Sequence, residues 1–186
     1  MKHPSSRAFF AYWDSQRGTA LAPERGAIEP SAVRGLLGDI FVLSCDAAAG
    51  YPFRVAGTRL CALFGRDMKG LSLPGLFATD SRSECQDLLG VVAEEALPLV
   101  AGVTSTQRGA PPAHLELLLL PFAPRLHTPL SMTGLLAVVG PRLDSPLGEL
   151  RLTAWRTLGR PSRRLRPRIL RKWEVARGLM VYEGLR

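Results

Sequence analysis

The sequence predicts an α+β fold, and three observations along the chain support this prediction. A near-continuous apolar run, Asp39–Ser44, is separated by a short turn from an alternating segment, Tyr51–Ala56, which is typical of a β-hairpin. One apolar stripe at three- and four-residue intervals extends over residues 81–97, which indicates a long amphipathic helix ending before Pro98. Three further strands are predicted after it, at Leu99–Gln107, His114–Phe122 and Met132–Gly140.

Short helices are predicted on both sides of the hairpin. Ala8–Gln16 carries aromatic residues at helical spacing, Pro30–Leu37 begins with a proline that suits a first helical turn, and Thr58–Phe64 ends at a glycine. In the long helix, Ser81 and Glu84 have the spacing of a capping box.

The predicted strand His114–Phe122 is apolar on both faces. Leucine occupies position 115 and every position from 117 to 120, so residues of both parities are apolar. We therefore expect this strand to be covered on both sides.

Basic residues are concentrated at the C-terminal end of the chain. Residues 1–141 contain twelve Lys or Arg and twelve Asp or Glu, whereas residues 142–186 contain twelve basic and only four acidic residues. The C-terminal segment therefore accounts for the entire net charge of +8. We expect a neutral domain followed by a basic extension.

The composition argues against a membrane protein and against a disulfide framework. No apolar run reaches the roughly 18 residues that cross a bilayer, and the apolar patch near the N-terminus is too short for a signal peptide. The cysteines, Cys45, Cys61 and Cys85, are odd in number and widely spaced, which favours a reducing compartment. These features predict a soluble, cytoplasmic protein.

The segment Phe53–Gly70, FRVAGTRLCALFGRDMKG, joins a strand, a short helix and a loop closed by glycine. Together with the preceding strand and the element order, it resembles the opening half of a PAS domain. More closely, it resembles a short, largely stand-alone bacterial PAS-domain family of alphaproteobacterial type. The resemblance implies a five-stranded antiparallel sheet with helices on one face. It divides the chain into an N-terminal flanking helix at 1–27, a PAS domain at 28–141 and a basic C-terminal helical extension at 142–186.

PAS domains are sensing and docking modules, so the resemblance implies a regulatory function. The sequence contains no nucleophile elbow, P-loop or HExxH motif, and His3, His114 and His127 are far apart in the chain. We therefore expect a non-catalytic regulatory protein that docks to a signalling partner. The alternative is a nucleic-acid-associated regulator whose PAS core mainly drives dimerisation.

The aromatic N-terminal helix has two alternative roles. In PAS proteins a flanking helix commonly packs against its counterpart in a dimer, so the resemblance predicts a homodimer contact through Phe9, Tyr12 and Trp13. In the second role, the helix covers the open side of its own sheet.

PAS relatives often hold a ligand between the sheet and the helices. Haem is not expected, because residues 58–97 contain no histidine that could be its axial ligand. Flavin is not expected, because Cys61 lacks the flanking Asn and Arg of the photoactive flavin domains. The sequence predicts no metal site and leaves open an unidentified small ligand.

Five residues are candidates for lining such a ligand site: Arg54, Thr58, Arg59, Cys61 and Phe64. Structural roles compete with this interpretation. The two arginines would face solvent, the threonine hydroxyl would cap its helix, and the cysteine would be a small buried hydrophobe.

A basic patch is predicted in the C-terminal extension, at Arg160, Arg163, Arg164, Arg166, Arg168, Arg171 and Lys172. From Pro167 onward, apolar residues on one helical face predict a basic helix. Three roles stay open: a solvated surface folded back over the domain, non-specific nucleic-acid binding, or contact with an anionic membrane.

Overall fold

The computed structural model describes residues 1–106, 111–141, 143 and 145–159, and the backbone of residues 171–176 and 179–183. In these segments the α-helices are α1 (Pro4–Arg17), α2 (Thr58–Phe64) and α3 (Thr79–Glu95). The strands are β1 (Ile40–Ser44), β2 (Phe53–Ala56), β3 (Leu99–Ser105), β4 (Ala113–Pro121), β5 (Ser131–Val138), β6 (Leu150–Thr157), β7 (Arg171–Ala176) and β8 (Leu179–Glu183). None of the helices in this described part is long and apolar enough to cross a membrane.

The main sheet is antiparallel and has the strand order β2-β1-β5-β4-β3-β6. It has six strands, which corrects the expectation of five. The sixth, β6, pairs along the whole of β3, from Leu99 opposite Thr157 to Ser105 opposite Leu150. We did not predict this strand because most of its side chains are exposed, so it shows little apolar pattern.

The two faces of the sheet carry separate apolar clusters. On the inner face, α2 and α3 pack over a cluster that includes Leu115, Leu117 and Leu119 of β4. On the outer face, α1 packs over Leu118 and Leu120. This confirms that the strand is covered on both sides. It also shows that α1 covers its own sheet, the second of the two roles considered for this helix.

The ends of the helices differ from two expectations. Helix α2 begins at Thr58 with Gly57 as its N-cap, and no side chain caps it, so the predicted capping by Thr58 is wrong. Helix α3 has Ala78 as its N-cap, again without a side-chain cap. The Ser81 hydroxyl instead accepts a hydrogen bond from the backbone N–H of Leu152 in β6, so the predicted capping box is also wrong.

The predicted C-terminal helix is wrong where the structure describes the backbone. Strands β7 and β8 form an antiparallel pair, with Arg171 opposite Glu183 and Trp173 opposite Val181. The sequence of β7 alternates polar and apolar residues from Lys172 onward, a period of two that fits a strand. Similarly, the predicted helix Pro30–Leu37 is only a single 3-10 turn, at Arg34–Leu36.

Candidate functional site

The inner face of the sheet and the inner helices share a cluster of buried apolar side chains. Phe41 and Phe53 meet edge to face, with ring centroids 5.4 Å apart. Met68, Phe77 and Leu89 in the same cluster have no exposed surface. The inner helices are therefore held to the sheet by an apolar core, in which close contact between side chains contributes much of the stability.

The structure does not bring the five candidate ligand residues together in this core. Phe64 is buried there and Cys61 packs partly against it, whereas the side chains of Arg54, Thr58 and Arg59 are exposed. None of the five lines either of the two clefts described below.

Arg59 has a structural partner. Its Nε and Nη2 donate hydrogen bonds to the two carboxylate oxygens of Asp39 at 2.8 and 2.7 Å, and Nη2 also donates to the Gly35 carbonyl at 2.8 Å. The hydrogen bond with Asp39 is the main reason that the Arg59 pKa is raised. The arginine therefore links α2 to the segment that precedes β1.

Two of the three residues predicted for a dimer contact are in the core of the chain itself. Phe9 and Trp13 have no exposed surface. Tyr12 is half-buried, and its hydroxyl donates to the Ala27 carbonyl and accepts from the Glu29 N–H. In this conformation the aromatic side chains bind α1 to the sheet and to the loop that follows it.

An open cleft of about 710 Å³ lies on the outer face of the sheet, beside the start of α1. Its walls come from β3, β4, β6 and the first two residues, and they include Lys2, Val100, His114, Val139 and Arg156. We call this the outer cleft. Its surface combines apolar side chains from the sheet with basic groups at the rim.

Glu116 of β4 is the acidic residue of a leucine-rich strand, and it lies in the outer cleft. It is only 6% exposed, and its carboxylate accepts hydrogen bonds from the backbone N–H groups of Lys2 and His3. Burial raises the pKa of this carboxyl, but hydrogen bonding to its oxygens and the positive amino terminus together outweigh burial, so its pKa is lowered. Glu116 thus anchors the start of α1 on the sheet. Its isolation among leucines is the signal that the sequence analysis missed.

A second cleft, of about 500 Å³, lies between α3 and the turn that joins β1 to β2. Asp87, Glu94 and Glu95 of α3 and Tyr51 of the turn line it. We call this the acidic cleft. The pKa of Tyr51 is raised, first by burial and then by nearby groups that include the carboxylates of Glu94 and Asp87. The sequence analysis missed this site as well, although the acidic residues recur at helical spacing.

A family model for the PAS domain matches residues 1–137. The chain belongs to the PAS domain family. The matched region extends from the N-terminus nearly to the end of β5, whereas β6 follows it, within the segment 142–186. Both clefts are therefore formed mainly by the PAS domain, with β6 supplying one wall of the outer cleft.

Several solved structures are similar to this PAS protein. A LOV protein of Rhodobacter sphaeroides is 14% identical, with a TM-score of 0.45, over 57% of this chain and 64% of its own length. The PAS domain of Bordetella pertussis BvgS is 16% identical, with a TM-score of 0.44, over 58% and 81%. The PAS domain of an HTR-like protein from Haloarcula marismortui is 20% identical, with a TM-score of 0.43, over 59% and 90%. No curated protein matches the chain.

The PAS fold is consistent with a sensory or signalling role, and PAS domains are generally non-catalytic modules. Among the residues that the structure describes, no group of histidine, cysteine and acidic side chains is arranged to hold a metal ion. Most of the predicted basic patch, from Arg160 to Arg168, lies outside the described residues. Only the backbone of Arg171 and Lys172, in β7, is described.

Proposed function

We propose that this PAS protein is a non-catalytic regulator that acts by docking to a partner protein through the outer cleft. The observation that carries the proposal is the contrast between the two faces of the sheet. On the inner face, α2 and α3 cover an apolar cluster, whereas the outer face has an open cleft beside α1. Apolar surface with a polar rim is the usual composition of a protein-binding patch.

The charges at the outer cleft favour an acidic partner. Lys2 and Arg156 lie at the cleft, and the carboxylate of Glu116 is already occupied by two backbone N–H groups. A partner segment with apolar side chains and carboxylates would complement Val100 and Val139 together with these cations.

Site-specific photo-crosslinking in cells tests this proposal. A crosslinking amino acid in place of Ala154, an exposed residue of β6 in the outer cleft, is expected to capture one protein. The matched control is the same substitution at Arg66, an exposed residue that does not line the outer cleft. Arg156→Glu is expected to weaken capture at least tenfold by reversing the rim charge. Two results would argue against docking at this cleft. One is that the crosslinker captures the same proteins at positions 154 and 66, and the other is that Arg156→Glu leaves capture at position 154 unchanged.

Gating by a small ligand is the second part of the proposal, and native mass spectrometry of gently purified full-length protein tests it. Excess mass that leaves on denaturation would identify a ligand and support a sensor whose docking is gated. A mass equal to that of the chain alone would support a docking module with a permanently filled core.

The alternative function is a nucleic-acid-associated regulator, and the charge of residues 142–186 favours it. The test is DNA binding by the full-length protein as salt is raised, because release of counterions makes such binding fall steeply with salt. The matched variant replaces Arg160, Arg163, Arg164, Arg166 and Arg168 with glutamine. This variant is preferable to deletion of residues 142–186, since such a deletion would also remove β6 from the sheet. Anionic vesicles in the same assay separate a membrane surface from nucleic acid.

A further inference from the structure

Strand β6 is attached to the start of α3 as well as to β3. Three polar contacts join the two elements, each between one residue of β6 and one of α3: Trp155 with Glu84, Arg151 with Asp80, and Leu152 with Ser81. The first is a hydrogen bond from the indole N–H to the carboxylate at 2.9 Å, the second is an ion pair, and the third is a hydrogen bond from a backbone N–H to a hydroxyl at 3.3 Å. Positions 80, 81 and 84 lie within about one turn of α3. We call these three interactions the β6–α3 contacts.

Apart from these contacts, little more than its backbone pairing holds β6 in place. Of its eight residues, only Leu150 is buried and Leu152 half-buried, whereas most side chains of β4 are buried. The pairing with β3 is also irregular between Gly102 and Val103. Two of the β6–α3 contacts are exposed, and exposed ion pairs contribute little to stability because water and salt screen them. We therefore expect β6 to separate from the sheet more readily than β4.

The position of β6 connects the two faces of the sheet. Helix α3 packs on the inner face, and none of its described residues lines the outer cleft. Strand β6 contributes four residues to that cleft: Thr153, Ala154, Trp155 and Arg156. The strand that contacts the start of α3 is therefore also a wall of the outer cleft.

We propose that β6 is a detachable strand that controls the outer cleft. While the β6–α3 contacts are intact, β6 stays paired with β3 and completes the cleft. When they break, β6 leaves the sheet edge and the cleft loses one wall. Any molecule that displaces the first turn of α3 then changes docking on the opposite face, by as much as its affinity differs between the two states. This regulation rests on the docking proposed above, whereas the detachment of β6 can be measured without a partner.

Amide hydrogen exchange of the full-length protein, followed residue by residue by NMR, tests the detachment. Asp80→Ala/Glu84→Ala removes two of the β6–α3 contacts. The matched control is Asp87→Ala/Glu94→Ala, which removes two exposed carboxylates of the same helix that make none of these contacts. The first variant is expected to accelerate exchange in β6 about tenfold, the size expected for loss of an ion pair and a hydrogen bond. Exchange in β4 should change by less than about twofold, since only β6 opens, and the control should change neither strand.

Two further variants distinguish detachment of β6 from general destabilisation of α3. Trp155→Phe keeps an aromatic ring and removes the indole N–H, so it should also accelerate exchange in β6. Combined with Glu84→Ala, it should add little, because both changes remove the same hydrogen bond. Equal acceleration in β4 and β6, or no acceleration in either strand, would show that β6 does not detach.

The outer cleft supplies the second measurement. His114 lines it from β4, and its ring NMR signal, identified with His114→Gln, is expected to shift in Asp80→Ala/Glu84→Ala and to stay in place in the control. Photo-crosslinking from position 154 should capture less of the partner in the same variant. Undiminished capture despite faster exchange in β6 would show that the strand does not control docking. No capture by the unmodified protein would instead overturn the docking itself, and the exchange rates would still decide whether β6 detaches.

Discussion

The indole N–H of Trp13 donates a hydrogen bond to the carbonyl oxygen of Pro121 at 2.9 Å, which joins α1 to the last residue of β4. Neither Trp13 nor Phe9, one helical turn earlier, exposes any surface. The aromatic helix therefore belongs to the core on the outer face, and its loss would expose the sheet.

Replacing Trp13 with alanine is expected to lower the free energy of unfolding by about 3–5 kcal/mol, because it leaves a large cavity under α1 and an unpaired carbonyl. Urea denaturation measures the change. Trp155→Ala is the control, since that tryptophan is 42% exposed. Its replacement should lower the free energy of unfolding much less than that of Trp13. A dimer that becomes a monomer without loss of stability would instead support the dimer contact predicted for this helix.

Replacing Glu116 with glutamine is expected to destabilise the protein at pH 7 by about 1.5–3 kcal/mol, the usual contribution of hydrogen bonds to a charged group. Because the folded-state pKa is lowered, the stabilisation is present above the unfolded-state pKa and is lost as the pH falls through the folded-state value. The difference in the free energy of unfolding between the unmodified protein and Glu116→Gln should therefore decrease as the pH falls. Urea denaturation from pH 7 to pH 3 measures it, and exposed Glu149→Gln should show no such trend.

Gly57→Ala is expected to destabilise the protein by at least about 2 kcal/mol. An added Cβ would lie 2.2 Å from the backbone oxygen of Leu37 and 2.3 Å from that of Gly38, atoms that cannot move without shifting the segment before β1. Thermal unfolding measures the effect. Gly35→Ala is the matched control, because no atom lies within 4 Å of its added Cβ. Equal melting temperatures for the two variants would contradict the close packing of Gly57 against the backbone of Leu37 and Gly38.

Cys85 is expected to resist alkylation by iodoacetamide in the folded protein at pH 8. It is 3% exposed, and burial is the main reason that its pKa is raised to about 12, so very little thiolate forms. Burial likewise raises the pKa of Cys45 to about 11. Mass spectrometry of peptides after timed labelling gives the rates. Labelling of Cys85 in the folded protein as fast as in urea would show that this part of the core opens readily.

Much of the PAS core could be predicted because its signals are local. Helix α2 has the predicted bounds, since Gly57 and Gly65 mark its two ends in the sequence. The predicted strands after α3 end within two residues of the observed ones. The predicted capping box at Ser81 failed, and the structure shows a tertiary contact in its place, because the Ser81 hydroxyl accepts a hydrogen bond from β6, about 70 residues further along the chain.

The two clefts could not be predicted in the same way. Glu116 is polar by sequence, but only folding brings the N–H groups of Lys2 and His3 to its carboxylate. Tyr51 follows an ordinary turn glycine, and its hydroxyl reaches α3 only when the hairpin packs beside that helix. The sequence pattern of one segment does not predict which distant segment will pack against that segment.

The sequence by itself determined the order of strands and helices in the PAS core and the concentration of basic residues in the C-terminal segment. Periodicity, glycine positions and charge are properties of neighbouring residues, so they can be read directly along the chain. Only the tertiary structure decided that α1 covers the outer face, that β6 extends the sheet beside β3, and that carboxylates and a tyrosine meet in one cleft. These features depend on contacts between distant segments, whose partners are selected by burial and hydrogen bonding in the whole fold.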